Sequence, residues 1–179
     1  MTTTAIIINT TENISSISEY ERYFDNVYVA KSITELNNFF ELIDSDYLVI
    51  VTDNEYYAED CYVLCKYFNS HNMDFIVGNR INTTQYLDVD NFYRRCNKTL
   101  SKKLSKLTNK YIPDIFSFSY VLSKKFYKRI KVTSNFQLDC LRYSKNFVYI
   151  DIRYKPQQYS KIDTYKYYSK AKKYRKDAN

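Results

Sequence analysis

A single glycine, Gly78, stands among 179 residues, with two prolines, one histidine and no tryptophan. So little glycine removes the usual means of making tight turns around phosphates in an α/β protein. The one histidine lies in the polar stretch Ser70-His71-Asn72 and is expected to have no catalytic role. Nowhere does the chain contain a run of about 18 apolar residues, so no segment is expected to span a membrane. Met1–Asn13 lacks both the basic start and the long apolar centre of a secretory signal. The four cysteines, Cys61, Cys65, Cys96 and Cys140, therefore read as reduced, buried thiols of a cytoplasmic protein. Cys61 and Cys65 are four apart with His71 nearby, but this spacing fits no strong zinc pattern, and core packing is the better reading.

Acidic residues are scarce in one half only. Residues 1–90 hold 4 Lys/Arg against 15 Asp/Glu, a net of −11, whereas residues 91–179 hold 23 against 5, a net of +18. Such asymmetry points to an anionic partner for the second half, or to mutual neutralisation of the halves in the fold. The excess of Tyr, Asn, Ile and Lys fits an AT-rich genome.

What the chain does have is one strong apolar run that ends in acid. Tyr47-Leu48-Val49-Ile50-Val51-Thr52 leads straight into Asp53-Asn54-Glu55. An unbroken apolar run of this length reads as a strand buried on both faces, as in a parallel sheet. Carboxylates at its carboxyl end lie where open α/β sheets bind ligands. Around it, strands are expected at Ala5–Ile8, Asn26–Ala30, Asp74–Gly78, Ser117–Val121 and Phe147–Tyr154, the last ended by Pro156. Between them the apolar spacing predicts helices. Two begin at the capping boxes Ser16/Glu19 and Ser32/Glu35. Leu36, Phe39, Phe40 and Ile43 follow the second at i, i+3, i+4, i+7. Others are expected over Ala58–Phe68, Ser123–Ile130 and Asn135–Ser144, with Asn82–Asp90 a loop. A long basic helix, Asn91–Lys110, should turn Phe92, Cys96, Leu100, Leu104 and Leu107 inward. Alternating strands and helices imply an α/β fold, a mainly parallel sheet with helices on both faces. One compact domain, residues 1–163, is expected before a Tyr/Lys-rich basic tail, residues 164–179.

From Asp46 to Lys161 the order of motifs resembles family 2 glycosyltransferases, especially their polyprenol-phosphate, dolichol-phosphate mannosyltransferase-like branch. The matching segments are Val49–Glu55 with Ala58-Glu59-Asp60, then Ile76-Val77-Gly78-Asn79-Arg80, Arg94-Arg95, Asp114 before Ser117–Tyr120, Phe136-Gln137-Leu138-Asp139, and Val148–Tyr154 with Ser160-Lys161. The resemblance implies a GT-A (Rossmann-like) fold, a nucleotide-diphosphate sugar donor and Mg²⁺ or Mn²⁺. It departs in three places. The first strand leads into Asn9-Thr10-Thr11-Glu12-Asn13, a second strand ending in paired Asp is missing, and Phe118 and Tyr120 replace the Gly and Arg of a Ser-Gly-Phe-Arg stretch.

By this resemblance Asp53 and Glu55 are the candidate metal ligands, against a plain acidic loop in which Asp53 or Asn54 caps the next helix. Asp139 is the candidate general base, against a surface carboxylate paired with Arg142. Arg80 and Lys161 could reach a diphosphate, and Asp114 could position substrate or cap a turn. The basic helix (Arg94, Arg95, Lys98, Lys102, Lys106) and the tail, where Tyr165, Tyr167 and Tyr168 interleave with Lys166 and Lys170, fit an anionic membrane surface or a lipid-phosphate acceptor. They fit nucleic acid less well, since no base-reading motif is present. Two functions stand at this level. One is a small metal-assisted glycosyltransferase. The other is a catalytically degenerate module that acts through its basic face on a membrane, nucleic acid or a protein assembly. A compressed, AT-biased version of an enzyme fold fits a viral or phage source.

Overall fold

The computed structural model describes residues 1–9, 16–53, 55–133 and 135–155, with Tyr165 and Ser169 from the tail. Six strands form one sheet: β1 (Thr3–Ile8), β2 (Asn26–Ala30), β3 (Tyr47–Thr52), β4 (Phe75–Asn79), β5 (Ser119–Ser123) and β6 (Phe147–Asp151). Their order across the sheet is β2-β1-β3-β5-β4-β6. β1 pairs in parallel with both β2 and β3, and β4 pairs in parallel with β6. β5 alone among these strands runs against its neighbours. The expected α/β fold with a mainly parallel sheet is thus what the chain forms.

β3 shows why the apolar run is continuous. Leu48 and Ile50 enter one layer and Val49 and Val51 the other, and all four are fully buried. Each such side chain stabilises the fold by about 1.5–3 kcal/mol relative to its exposed state. The first layer is covered by α2 (Leu36–Leu42), α5 (Lys124–Tyr127) and α6 (Phe136–Tyr143); the second by α1 (Ile17–Tyr20) and α3 (Ala58–Asn69). The long helix α4 (Asn91–Thr108) serves both, giving Tyr93 to the second layer and Leu100 and Leu104 to the first.

The antiparallel β5 accompanies a pairing between residues distant in sequence. β4 ends at Asn79, and the next residue, Arg80, binds Asp114 through its side chain. That pairing returns the chain, after α4, to the carboxyl end of β4. β5 therefore starts where β4 stops and must run back. Gly78 is required by a close approach here. A Cβ built on it would lie 2.1 Å from Ile152 Cδ1 and 3.1 Å from Ser119 Cβ.

Several local expectations change. Neither capping box forms as expected. The Ser16 hydroxyl donates to Asp53 rather than closing its own helix, and Glu19 accepts from Ala58 N at 2.9 Å. Glu35 accepts from Lys31 N at 2.8 Å rather than from Ser32. α1 and α5 are each one turn long, the latter shorter than the expected Ser123–Ile130, and Thr84–Asp88 forms a 3-10 turn inside the expected loop. Asp90 caps α4, its Oδ1 accepting from Phe92 N at 2.8 Å and Tyr93 N at 3.3 Å. Asn109, at φ 51°, ends that helix in the left-handed conformation. The inward face of α4 is also rotated from expectation. Phe92 and Leu107 are exposed, while Tyr93, Asn97 and Ser101 are buried beside Cys96, Leu100 and Leu104.

Candidate active site at the strand crossing

The sheet order creates one position where strands part in opposite directions. The connection from β1 places β2 on one side of it, and the next places β3 on the other. Such a reversal of strand order marks the carboxyl ends of β1 and β3 as the crevice where open α/β sheets take ligands. Asp53 stands in it. Its backbone N–H continues the ladder by donating to Ile8 O at 3.1 Å. Its half-buried carboxylate accepts from Asn9 Nδ2 at 3.1 Å and from the Ser16 hydroxyl. These donors come from either end of the segment that follows β1, so the carboxylate is oriented by both. Each carboxylate oxygen has a second acceptor direction, which leaves Asp53 capacity for a further ligand.

Glu55, two residues on, faces a different environment. It is 6% exposed. Oε1 takes Arg80 Nη1 at 3.0 Å, and Oε2 takes the Thr52 hydroxyl. Arg80 is 0% exposed and grips Asp114 with two prongs, Nε to Oδ2 at 2.8 Å and Nη2 to Oδ1 at 2.9 Å. Nη2 also donates to Tyr93 OH at 3.2 Å, and the ring of Tyr154 lies 5.5 Å from the guanidinium carbon. Asp114 Oδ1 accepts a further bond from Asn97 Nδ2 at 2.7 Å, and Ser101 Oγ donates to Asn97 Oδ1 at 3.2 Å. Two carboxylates and one guanidinium thus share a buried network whose hydrogen-bonding capacity is largely used. Burial would lower the Arg80 pKa, but Asp114 overrides this and holds it well above its ordinary value. Burial raises the phenols around it; Tyr86, which accepts from Asn97, is pushed up to about 12.

Glu55, Arg80 and Asp114, three of the five residues expected to bind metal or ligand, are therefore brought together, but for one another. Glu55 is the counter-ion of Arg80 rather than an open ligand beside Asp53. Arg80 presents no surface to a diphosphate, and Asp114 holds the return of the chain. Among the described residues no group of three or more His, Cys, Asp or Glu is placed to share a metal ion. A cation held by Asp53 alone together with ligand phosphates does fit, since Mg²⁺ commonly uses one or two carboxylates plus phosphates.

Asp139 is not part of this constellation. It is 1% exposed on α6 and accepts from Thr133 N at 2.7 Å and Thr133 Oγ1 at 2.9 Å, closing the turn ahead of the helix. It pairs neither with Arg142, as the surface reading expected, nor with any residue of the crevice named above. Lys161 and Asn54 lie outside the described residues, as does most of the tail. Lys155, by contrast, enters the site unexpectedly. Its N–H donates to Glu55 O at 2.8 Å, and its ammonium lies 2.7 Å from Glu19 Oε2. Sequence reasoning also missed Tyr93, Asn97 and Ser101. Their i, i+4, i+8 spacing beside Leu100 and Leu104 was the available signal.

Two clefts, of about 820 Å³ at the amino end of β3 and about 760 Å³ beside β6, lie elsewhere. They are open and rimmed by solvated side chains such as Lys124 and Lys145. The oriented carboxylate at the strand crossing makes the crevice, not these clefts, the candidate site.

No protein-family model matches the chain, and no curated protein matches it by sequence. Solved structures do. Glucosyl-3-phosphoglycerate synthase from Mycobacterium tuberculosis, in complex with Mn²⁺, UDP and glucosyl-3-phosphoglycerate, superposes with a TM-score of 0.66 at 9% identity, covering 94% of this chain and 76% of that one. The same enzyme with Mn²⁺, UDP and phosphoglyceric acid gives 0.62 at 9% identity, over 94% and 75%. CMP:2-keto-3-deoxy-manno-octonic acid synthetase complexed with CTP gives 0.50 at 8% identity, over 97% and 99%. These likenesses support the general fold and lend nothing to the polyprenol-phosphate branch. The chain has a GT-A-type, Rossmann-like fold.

Proposed function

We propose that the crevice between the carboxyl ends of β1 and β3 binds a nucleotide-diphosphate sugar, and that the chain transfers the sugar to an acceptor. The carrying observation is Asp53, an oriented, half-buried carboxylate at the strand crossing. The likeness to enzymes whose structures hold Mn²⁺ and UDP supports it. When bound, a divalent cation would neutralise the diphosphate as it leaves. Asp53 would hold that cation, and Mn²⁺ is the first ion to try. Asn9 and Ser16 would fix the carboxylate's direction. Glu19 would tie the start of α3 to Lys155, and the Arg80 network would keep the loop carrying Asp53 rigid.

A second reading rests on a specific observation. Glu55 is paired with Arg80 and Asp139 accepts from Thr133, so both buried carboxylates are engaged with neighbours in the fold. That arrangement favours a module that binds the donor without turning it over.

Thermal unfolding with Mn²⁺ and a panel of UDP- and GDP-sugars tests both. A true donor at 100 times its Kd should stabilise the fold by about 2.7 kcal/mol. Asp53→Asn should remove the Mn²⁺-dependent part of that shift. Release of nucleoside diphosphate would establish transfer, and stabilisation without release would favour the second reading. No stabilisation by any donor would sink both.

A further inference from the structure

The outer face of α4 has no role in the crevice. Asn91–Thr108 contains six cations and no acidic residue. Arg94 is turned partly inward, its Nε buried, so it leaves the set expected to face a partner. Arg95, Lys98, Lys102, Lys103 and Lys106 are exposed, and none forms a salt bridge among the described residues. Arg95, Lys98, Lys102 and Lys106 fall within an arc of about 80° on the helix, with Lys103 beside them. Apolar side chains border the same face. Phe92 is 39% exposed, Leu107 53%, and Tyr111, just past the helix, 79%. The helix cannot roll to hide them, because Tyr93, Asn97 and Leu100 fix its other side in the fold.

We infer that this face docks on a lipid bilayer carrying anionic headgroups, with the helix lying along the surface. The cation stripe complements the headgroups. Phe92, Leu107 and Tyr111 would enter the interfacial zone, as in helices that lie in the membrane plane. A polyphosphate backbone would match the cations equally well but would gain little from Leu107, which decides for the bilayer over nucleic acid. At about 1.5 Å per residue the helix offers roughly 27 Å of contact. No helix among the described residues is long and apolar enough to cross a membrane, so the contact proposed is with the surface.

Flotation of the full chain with phosphatidylcholine vesicles, with and without 30 mol% phosphatidylserine, tests this. Binding is expected only with phosphatidylserine and should fall steeply as salt rises. K98Q/K102Q/K106Q should weaken it on the order of a hundredfold, at roughly fivefold per charge removed. Leu107→Ala should weaken vesicle binding several-fold and leave binding to heparin, a soluble polyanion, unchanged. Asp53→Asn should bind vesicles like the parent, because the surface does not depend on the nucleotide reading. Equal vesicle binding by the triple variant, with its melting temperature unchanged, would overturn the inference. So would an equal effect of Leu107→Ala on heparin and vesicles, or tight RNA binding without flotation.

Discussion

The two faces of α4 carry polar groups under opposite conditions. On the inner face Tyr93, Asn97 and Ser101 are buried and each is spent on a named partner in the Arg80–Asp114 network. On the outer face five cations lie in water without a salt-bridge partner among the described residues. One helix therefore holds both the least replaceable and the most replaceable polar groups of the region. A charge count cannot tell them apart; burial and partner geometry can.

Breaking the inner side should have the largest effect. Arg80→Ala leaves Glu55 and Asp114 buried without a counter-ion, and such a loss typically costs about 3–5 kcal/mol. Urea unfolding should show that drop, with part of it recovered by Asp114→Asn in the same chain. The junction beside the network should be next. Gly78→Ala places a methyl 2.1 Å from Ile152 Cδ1, and overpacking of this kind costs about 1–3 kcal/mol. Because the clash reaches both Cδ1 and Cγ1 of Ile152, at 2.1 and 2.7 Å, Ile152→Ala should relieve it where Ile152→Val would not, and a double-mutant cycle would measure the coupling. The outer face should respond least. Lys98→Gln, Lys102→Gln and Lys106→Gln should each move the unfolding free energy by no more than about 0.5 kcal/mol. A larger loss in any of them would mean that the outer cations support the fold as well, and the contrast between the faces would fail.

The strands and main helices were legible because their signals are apolar and periodic. Tyr47–Thr52 announced a strand buried on both faces, and Leu36, Phe40 and Ile43 announced α2. The direction of β5 was not legible, since a doubly buried strand has the same pattern whichever way it runs. Its reversal goes with the Arg80–Asp114 pair, a contact 34 residues apart. The site was legible in part. Asp53 was found where the strand crossing needs it, and Arg80, Glu55 and Asp114 were all singled out. Their mutual pairing was hidden, because isolated charged residues read as solvated until a partner is known. Asn97 and Ser101 were hidden for the complementary reason, that hydropathy places polar residues outside. Ser16 and Glu19 show a third cause. Their spacing is that of a capping box, but tertiary partners, Asp53 and Ala58, take both side chains.

The parallel register of β1 and β3 also sets where a label can be attached. Thr3 faces Tyr47 at one end of the pair and Ile8 faces Thr52 at the other. Six residues at about 3.3 Å each put the amino end of β1 roughly 20 Å from the crevice. A fluorophore or surface tether on Thr2 would therefore report on the chain without obstructing Asp53. One introduced near Lys155, whose ammonium lies 4.9 Å from the centre of the Tyr57 ring, would sit at the rim itself. The two attachment points form a ready distance pair for following ligand entry by energy transfer.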